Sequence, residues 1–465
     1  MLGEFECQDM VMRINPDRVM HLSGQYKYVK QPRLIGESQR SPEVIARVSE
    51  MLSEIQKGGL DAVMRYSREL DGWNGADFEI SRSDVEKLTN DLPRDLREAL
   101  ELGRDHTAAY ARMQREHMRD FSGEISPGLE VGMRYIPVNS VGAYLPAGRF
   151  PILASAFMTV NVAKVAGVPS VIVCSPPQKD GRPNPAVLYS ALISGADQFF
   201  ILGGVQALAA MCFGLLTDRP IDMLVGAGNA FVAEAKRQLF GTVAIDLLAG
   251  PSEVLVLADD SADVEVVAAD ILGQSEHGVD SPVGLVTTSL PFAEAVSQEI
   301  ERQLETLSTN SIAGPAWSDY GLIVVADSDE VAVELVDELA SEHLEIQTRK
   351  DDWFYDRLHN YGSVFIGPWS TVAYSDKGMA GTNHVLPTAG GARHTGGLSV
   401  GRFLKPLTFQ RLTKEATEVT ARSVETISEY EGMAAHKRTA TIRLERLSGN
   451  EVFPELTNNT TRMRR

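Results

Sequence analysis

The sequence predicts an α/β fold: two α/β units with parallel sheets, a helical module ahead of them and a helical tail behind. Two observations carry this. Between about residues 134 and 400, short apolar runs recur, among them Val171–Cys174, Phe199–Leu202, Met223–Val225, Val254–Leu257, Leu322–Val325 and Val364–Ile366. They do not alternate with polar residues, and helical segments separate them, which is the pattern of parallel strands buried on both faces. On either side of that region the texture is helical and rich in charge. The expected organisation is an N-terminal helical module over 33–133, a first α/β domain over 134–244, a second over 245–402, and a C-terminal helical tail over 403–450. A chain of 465 residues is long enough for several such domains.

The elements follow in order. Residues 1–32 show no clear periodicity and read as a loosely attached extension. Ser41-Pro42-Glu43 starts a helix, with a capping hydroxyl, a proline whose missing N–H costs nothing there, and an acid at the positive end of the dipole. Val44, Ile45, Val48, Met51, Leu52 and Ile55 continue it at helical spacing, and Lys57-Gly58-Gly59 stops it. Residues 60–120 continue as helices rich in Glu and Arg. Phe199 to Leu216 is an uncharged stretch of membrane-span length, but Gly203-Gly204 and Gln206 divide it into a buried strand, a glycine turn and a buried helix. Residues 261–276 read as a helix, and 290–320 as a helix followed by a loop around Gly314-Pro315. From Phe403 the chain is helical again, and Asn458–Arg465 is a polar tail.

Composition excludes some functions. There are 44 Lys and Arg against 63 Asp and Glu, a formal charge of −19. A field of that sign repels nucleic acid and anionic membrane surfaces, though a local basic pocket for a small anion remains compatible with it. The three cysteines, Cys7, Cys174 and Cys212, are spaced for neither a disulfide framework nor a thiolate metal site. With no apolar targeting segment in the first thirty residues, the expected location is cytoplasmic.

Three glycine turns stand where strands give way to helices: Val141–Arg149, Gly203-Gly204-Val205-Gln206 and Gly226-Ala227-Gly228-Asn229. Any one reads first as a tight βα turn. Together they point to a ligand cleft at the carboxyl ends of the strands of a Rossmann-like unit. Gln274 and His277, three apart at the end of a helix, share a face; alone they read first as a helix end with a histidine on its dipole. Tyr374-Ser375-Asp376-Lys377 and Gly381-Thr382-Asn383-His384 form a polar loop after a strand. Gln, His, Asp and one further His make a mixed N/O set suited to zinc or another divalent first-row metal. Glu342-His343, between a helix and a short strand, can supply a base for water and a proton shuttle, or be a solvated pair. His436 alone is a helical histidine.

Together these segments resemble the histidinol dehydrogenase family over roughly residues 35–450. The resemblance is carried by Gly226–Arg237, Ile245–Asp259, Gln274–Ser281, Glu342–Thr348, Gly381–Thr388 and Ala434–Lys437, in that order. It implies zinc ligands Gln274, His277, Asp376 and His436, and a catalytic pair in which Glu342 activates water and His343 shuttles protons. Tyr144, Gln206 and Asn229 fall where the family contacts NAD, and Ser252, His384 and Glu431 where it contacts substrate. It also implies a homodimer whose C-terminal tail reaches the partner's site, and oxidation of a primary alcohol such as L-histidinol through the aldehyde to the carboxylate with two NAD. The chain departs from the family pattern at Pro146-Ala147-Gly148-Arg149, at Ala227, at Ser341, and in the loop between Asp376 and Gly381, one residue longer than usual. Tyr374-Ser375-Asp376-Lys377, the turn Gly148-Arg149-Phe150-Pro151 and Ala392-Arg393-His394-Thr395-Gly396-Gly397 look more like a paralogous branch that includes sulfopropanediol dehydrogenase, with a substrate such as 2,3-dihydroxypropane-1-sulfonate. Arg149 or Arg393 would then hold a sulfonate.

Overall fold

The computed structural model describes residues 25–33, 41–147 and 150–449. The described chain divides into two compact units. The larger runs to His117 and resumes over Pro137–Phe403; the smaller joins Met118–Ile136 to the described residues from Leu404 onward. The extension before residue 25, the tail Asn458–Arg465, Cys7 and Arg149 lie outside the described residues.

The larger unit begins with strand β1 (Tyr26–Lys30), helix α1 (Pro42–Asp71), β2 (Glu79–Ile80), α2 (Arg82–Thr89) and α3 (Arg94–His117). Ser41 caps α1, its Oγ accepting the Val44 N–H at 3.2 Å. The stop expected at Gly58-Gly59 is a kink: Gly59 leaves helical geometry at φ 58°, and the helix resumes as far as Gly72, itself left-handed at φ 65°. The hairpin β3 (Phe121–Ser126) and β4 (Leu129–Pro137) then leads to β5 (Ser140–Tyr144), α4 (Val162–Ala166), β6 (Ser170–Ser175), α5 (Pro185–Ile193), β7 (Gln198–Ile201), α6 (Gly204–Cys212), β8 (Met223–Val225), α7 (Ala230–Leu239) and β9 (Ala244–Ile245). Their sheet has the order β2-β7-β6-β5-β8-β9, parallel except at the edge strand β2.

A second sheet follows, from β10 (Val254–Ala258), α8 (Val264–Ser275), β11 (Val283–Thr287), α9 (Leu290–Leu304), α10 (Asn310–Tyr320), β12 (Gly321–Ala326), α11 (Asp329–Leu339), β13 (His343–Gln347), α12 (Asp351–Tyr355), β14 (Ser363–Ile366) and α13 (Val372–Asp376). Its order is β1-β12-β11-β10-β13-β14. The central strands are buried along their whole length, as unalternated apolar runs require. β1 lies antiparallel on β12, so part of the segment read as a loose extension is an edge strand. The loop expected around Pro315 is instead helix α10, which carries that proline internally.

The smaller unit holds the hairpin β3–β4, to which β15 (Leu404–Leu412) adds a third strand in the order β15-β4-β3, with α14 (Lys414–Tyr430) and α15 (Ala434–Ser448). The segments read as wholly helical, 33–133 and 403–450, thus each contain sheet. No helix among the described residues is long and apolar enough to cross a membrane. Cys174 and Cys212 are buried free thiols.

Candidate active site

Register between two parallel strands builds the centre of the site. Val254 of β10 pairs with His343 of β13, so the residues just before them, Glu253 and Glu342, meet at the amino edge of the sheet. A helix following a parallel strand runs back along the sheet, so the carboxyl end of α8 with Gln274 and His277 also returns to this edge. At this second sheet the candidate residues therefore gather opposite the carboxyl-edge cleft expected of a doubly wound sheet.

Glu342 and Glu253 interlock. The Glu342 Oε2 accepts from Ser252 Oγ at 2.7 Å and from the Glu253 N–H at 2.9 Å. The Glu253 Oε1 accepts from the N–H groups of Glu342 and Ala389, each at 3.1 Å. Burial, then the neighbouring Glu342 charge, pushes the Glu253 carboxyl up to about 8. The His343 Nδ1 lies 2.9 Å from the Glu253 carbonyl oxygen. A carbonyl only accepts, so Nδ1 carries the hydrogen. The other nitrogen, Nε2, is buried without a partner among the described residues. Burial works against the charged imidazole, but the Glu342 carboxylate beside it, 3.4 Å away, outweighs this together with Asp376, and His343 is raised to about 9.

The His277 Nε2 lies 3.2 Å from the Asp376 Oδ2. Burial alone would raise Asp376, but the His277 bond and the nearby His343 and His384 imidazoles hold it well below the usual carboxylate range. His384 donates from Nδ1 to the Asp376 carbonyl at 3.3 Å, and burial lowers its pKa. Gln274 is buried, and its amide nitrogen donates to Ser252 Oγ. Thus Gln274, His277, Asp376, Ser252, Glu342, His343 and His384 form one neighbourhood. Glu431 and His436 lie in the smaller unit, both exposed, at the end of α14 and the first turn of α15.

Two atoms each bound to one tetrahedral zinc at 2.0–2.1 Å stand about 3.3 Å apart. The 3.2 Å between His277 Nε2 and Asp376 Oδ2 fits such a pair. With its nitrogen spent on Ser252, Gln274 has its oxygen left, the amide atom that a metal takes. No cluster of three His, Cys, Asp or Glu occurs among the described residues, so an ion here needs the Gln274 amide and at least one further group.

On the first sheet the glycine turns are satisfied from within. The Gly203 N–H donates to Asp71 Oδ2 at 3.2 Å and the Gly204 N–H to the Tyr144 hydroxyl at 3.2 Å. The Gly226 N–H donates to Asp246 Oδ2 at 2.7 Å, and Asp246 pairs with the buried Lys236. Gly226 has φ 118°, and a Cβ there would collide with the Tyr144 carbonyl. Asn229 caps α7, accepting from Phe231 and Val232 at 3.1 Å. Carboxylates therefore occupy N–H groups that a phosphate would use. Gln206 donates to Asp71 Oδ2 at 2.9 Å, which leaves its Oε1 buried and unpartnered among the described residues. Burial raises Asp71 against the bonds from Gln206 and Gly203. Arg393 does not stand free for a sulfonate: it donates to the Glu338 and Gly390 carbonyls and pairs with the Glu338 carboxylate.

Sequence reasoning missed Glu253 and Asp71. Glu253 sits in a quoted block, as an acid at the head of an apolar run. Asp71 closes a long helix and carries no signal.

The histidinol dehydrogenase family model matches residues 36–444. A histidinol dehydrogenase homolog of Shouchella clausii is 46% identical over 90% of this chain and 99% of its own length. The sulfopropanediol 3-dehydrogenase of Ruegeria pomeroyi is 41% identical over 93% of this chain and 99% of its own. Among solved structures, the histidinol dehydrogenase of Elizabethkingia anophelis superposes with a TM-score of 0.84 at 32% identity, covering 90% of this chain and 95% of that one. The chain belongs to the histidinol dehydrogenase family and is an oxidoreductase of the NAD-dependent class acting on CH–OH groups.

Proposed function

We propose that this enzyme oxidises a small polar primary alcohol through the aldehyde to the carboxylate, using one zinc ion per site and two NAD. The observation that carries the reading is His343, whose Nδ1 is committed to the Glu253 carbonyl and whose Nε2 is buried and unpartnered beside the His277–Asp376 pair. Gln274, His277, Asp376 and, from a C-terminal segment, His436 would hold the ion. When bound, zinc would orient and polarise the alcohol oxygen and offset the Asp376 charge that helps hold the His343 proton. NAD would accept hydride and be held near Tyr144, Gln206 and Asn229. His343 Nε2 takes the hydroxyl proton as hydride leaves the carbon. Glu342 then takes a proton from the water that adds to the aldehyde, with Ser252 and the Glu253 N–H orienting its carboxylate. His384 and Glu431 would contact the substrate.

L-Histidinol is the first candidate. The 41% identity to a sulfopropanediol 3-dehydrogenase favours 2,3-dihydroxypropane-1-sulfonate as the second. NADH formation on a panel holding both alcohols, with zinc added or chelated, tests the reading. We expect turnover of one of them that falls at least tenfold on chelation and returns with zinc. Turnover of neither, or turnover indifferent to chelation, would contradict it.

The same reading makes the enzyme a homodimer in which His436 completes the site of the other subunit. Mixing inactive His436→Ala and His277→Ala chains should then restore activity, because a heterodimer has one site with all ligands and one lacking two. No recovery in a heterodimer confirmed by native mass spectrometry would place His436 in its own subunit's site or in none.

A further inference from the structure

Behind the site lies a polar cluster, buried at Glu345 and Gln347 and half-buried at Asp270 and Thr371, that the mechanism does not use. Along β13 side chains alternate, so His343, Glu345 and Gln347 share one face. Glu345 is fully buried and Gln347 nearly so. On α8, Asp270 lies four residues before Gln274, one turn away on the same side. Thr371 precedes α13, which ends at Asp376.

These residues are laced together. Gln347 Nε2 donates to Asp270 Oδ2 at 2.9 Å and to Glu345 Oε2 at 3.3 Å. Thr371 Oγ1 donates to Asp270 Oδ1 at 2.9 Å, and the Val372 N–H donates to Glu345 Oε1 at 2.9 Å. Burial first, then the Asp270 charge, raises Glu345 to about 8. Two carboxyls beside an apolar core of Val267, Ile271, Phe365 and Val372 are expensive where hydrophobic residues would pack as well. What the arrangement provides is direction: it ties α8, β13 and α13 to one another one step behind Gln274, His343 and Asp376.

We propose that Asp270 and Glu345 are a positioning couple that holds α8 and α13 at the spacing where His277 and Asp376 face each other, and so sets metal affinity without touching the metal. The proposal rests on the metal reading above. It is tested on the full chain by measuring the zinc dissociation constant, through competition with a chelating dye, for the wild type, Asp270→Ala, Glu345→Ala and Glu345→Gln. KM for NAD and the metal-free melting temperature are recorded for each. The alanine variants should bind zinc about 10–100-fold more weakly, the usual cost of losing a group that orients a ligand, with KM for NAD unchanged. Glu345→Gln keeps an acceptor for the Val372 N–H and the volume of the side chain, so it should stay within about threefold of wild type.

Val296→Ala, in the same core on α9, controls for destabilisation alone. Equal zinc weakening in Val296→Ala at matched melting temperature, or wild-type affinity in both alanine variants, would overturn the couple's role. Should the alanine chains not fold, Asp270→Leu keeps about the volume, removes the acceptors for Gln347 and Thr371, and carries the same expectation. A wild type that binds no zinc would overturn the metal reading itself, and the couple's role with it.

Discussion

His343→Asn lowers kcat for alcohol oxidation by about 10²–10⁴-fold, the usual worth of a positioned general base. Asparagine is chosen because its amide can still donate to the Glu253 carbonyl, so the Nδ1 bond has a replacement. No atom of asparagine stands where Nε2 stands, and Nε2 is the atom given the hydroxyl proton. On the proposed reading the substituted residue does not hold the substrate, so KM should change little and the loss should fall on kcat. Steady-state rates at saturating NAD check this. A rise in KM with kcat preserved would make His343 a binding residue.

His277→Ala removes the metal and the activity together. Asp376 then loses the imidazole that faces it at 3.2 Å, and Gln274 is left as a neutral, weak donor. A Lewis acid on a reacting oxygen contributes several kcal/mol to the barrier, so activity falls about 10³-fold or more. Elemental analysis of the purified variant should show less than one tenth of the wild-type zinc. Unchanged metal content would remove His277 from the site, whatever happened to the rate.

The sheets were legible because their central strands are unmixed apolar runs: Val254–Ala258 is buried at every position and admits no other reading of comparable length. The smaller unit was not. Phe121–Ser126 is exposed throughout, and Leu404–Leu412 mixes Lys, Thr, Gln and Arg into its length, so neither shows the period that separates strand from helix. Tyr26–Lys30 is five residues on a sheet edge, too short for periodicity to declare itself. Pro315 read as a helix breaker, yet the surrounding packing of Ala313, Ala316 and Trp317 keeps α10 helical through it.

The site divides in the same way. Glu342, His343 and His277, which the structure brings into one neighbourhood, stand in the blocks that carry the resemblance, and Asp376 stands in the polar loop after a strand. Glu253 escaped because its bond to His343 is made by a backbone carbonyl that register alone brings into place. Asp71 escaped because it meets Gln206 across 135 positions of sequence. The glycine turn at Gly203-Gly204 points to a ligand cleft, but composition does not disclose that a carboxylate of the same chain already takes its first N–H.

The most direct test of the central claim is the amount of NADH formed per mole of alcohol consumed to completion, measured with the panel alcohol that the enzyme turns over. A site in which His343 serves the alcohol step and Glu342 the water step yields two NADH and one carboxylate for each alcohol. One NADH, with the aldehyde accumulating and not oxidised when supplied directly, would contradict it.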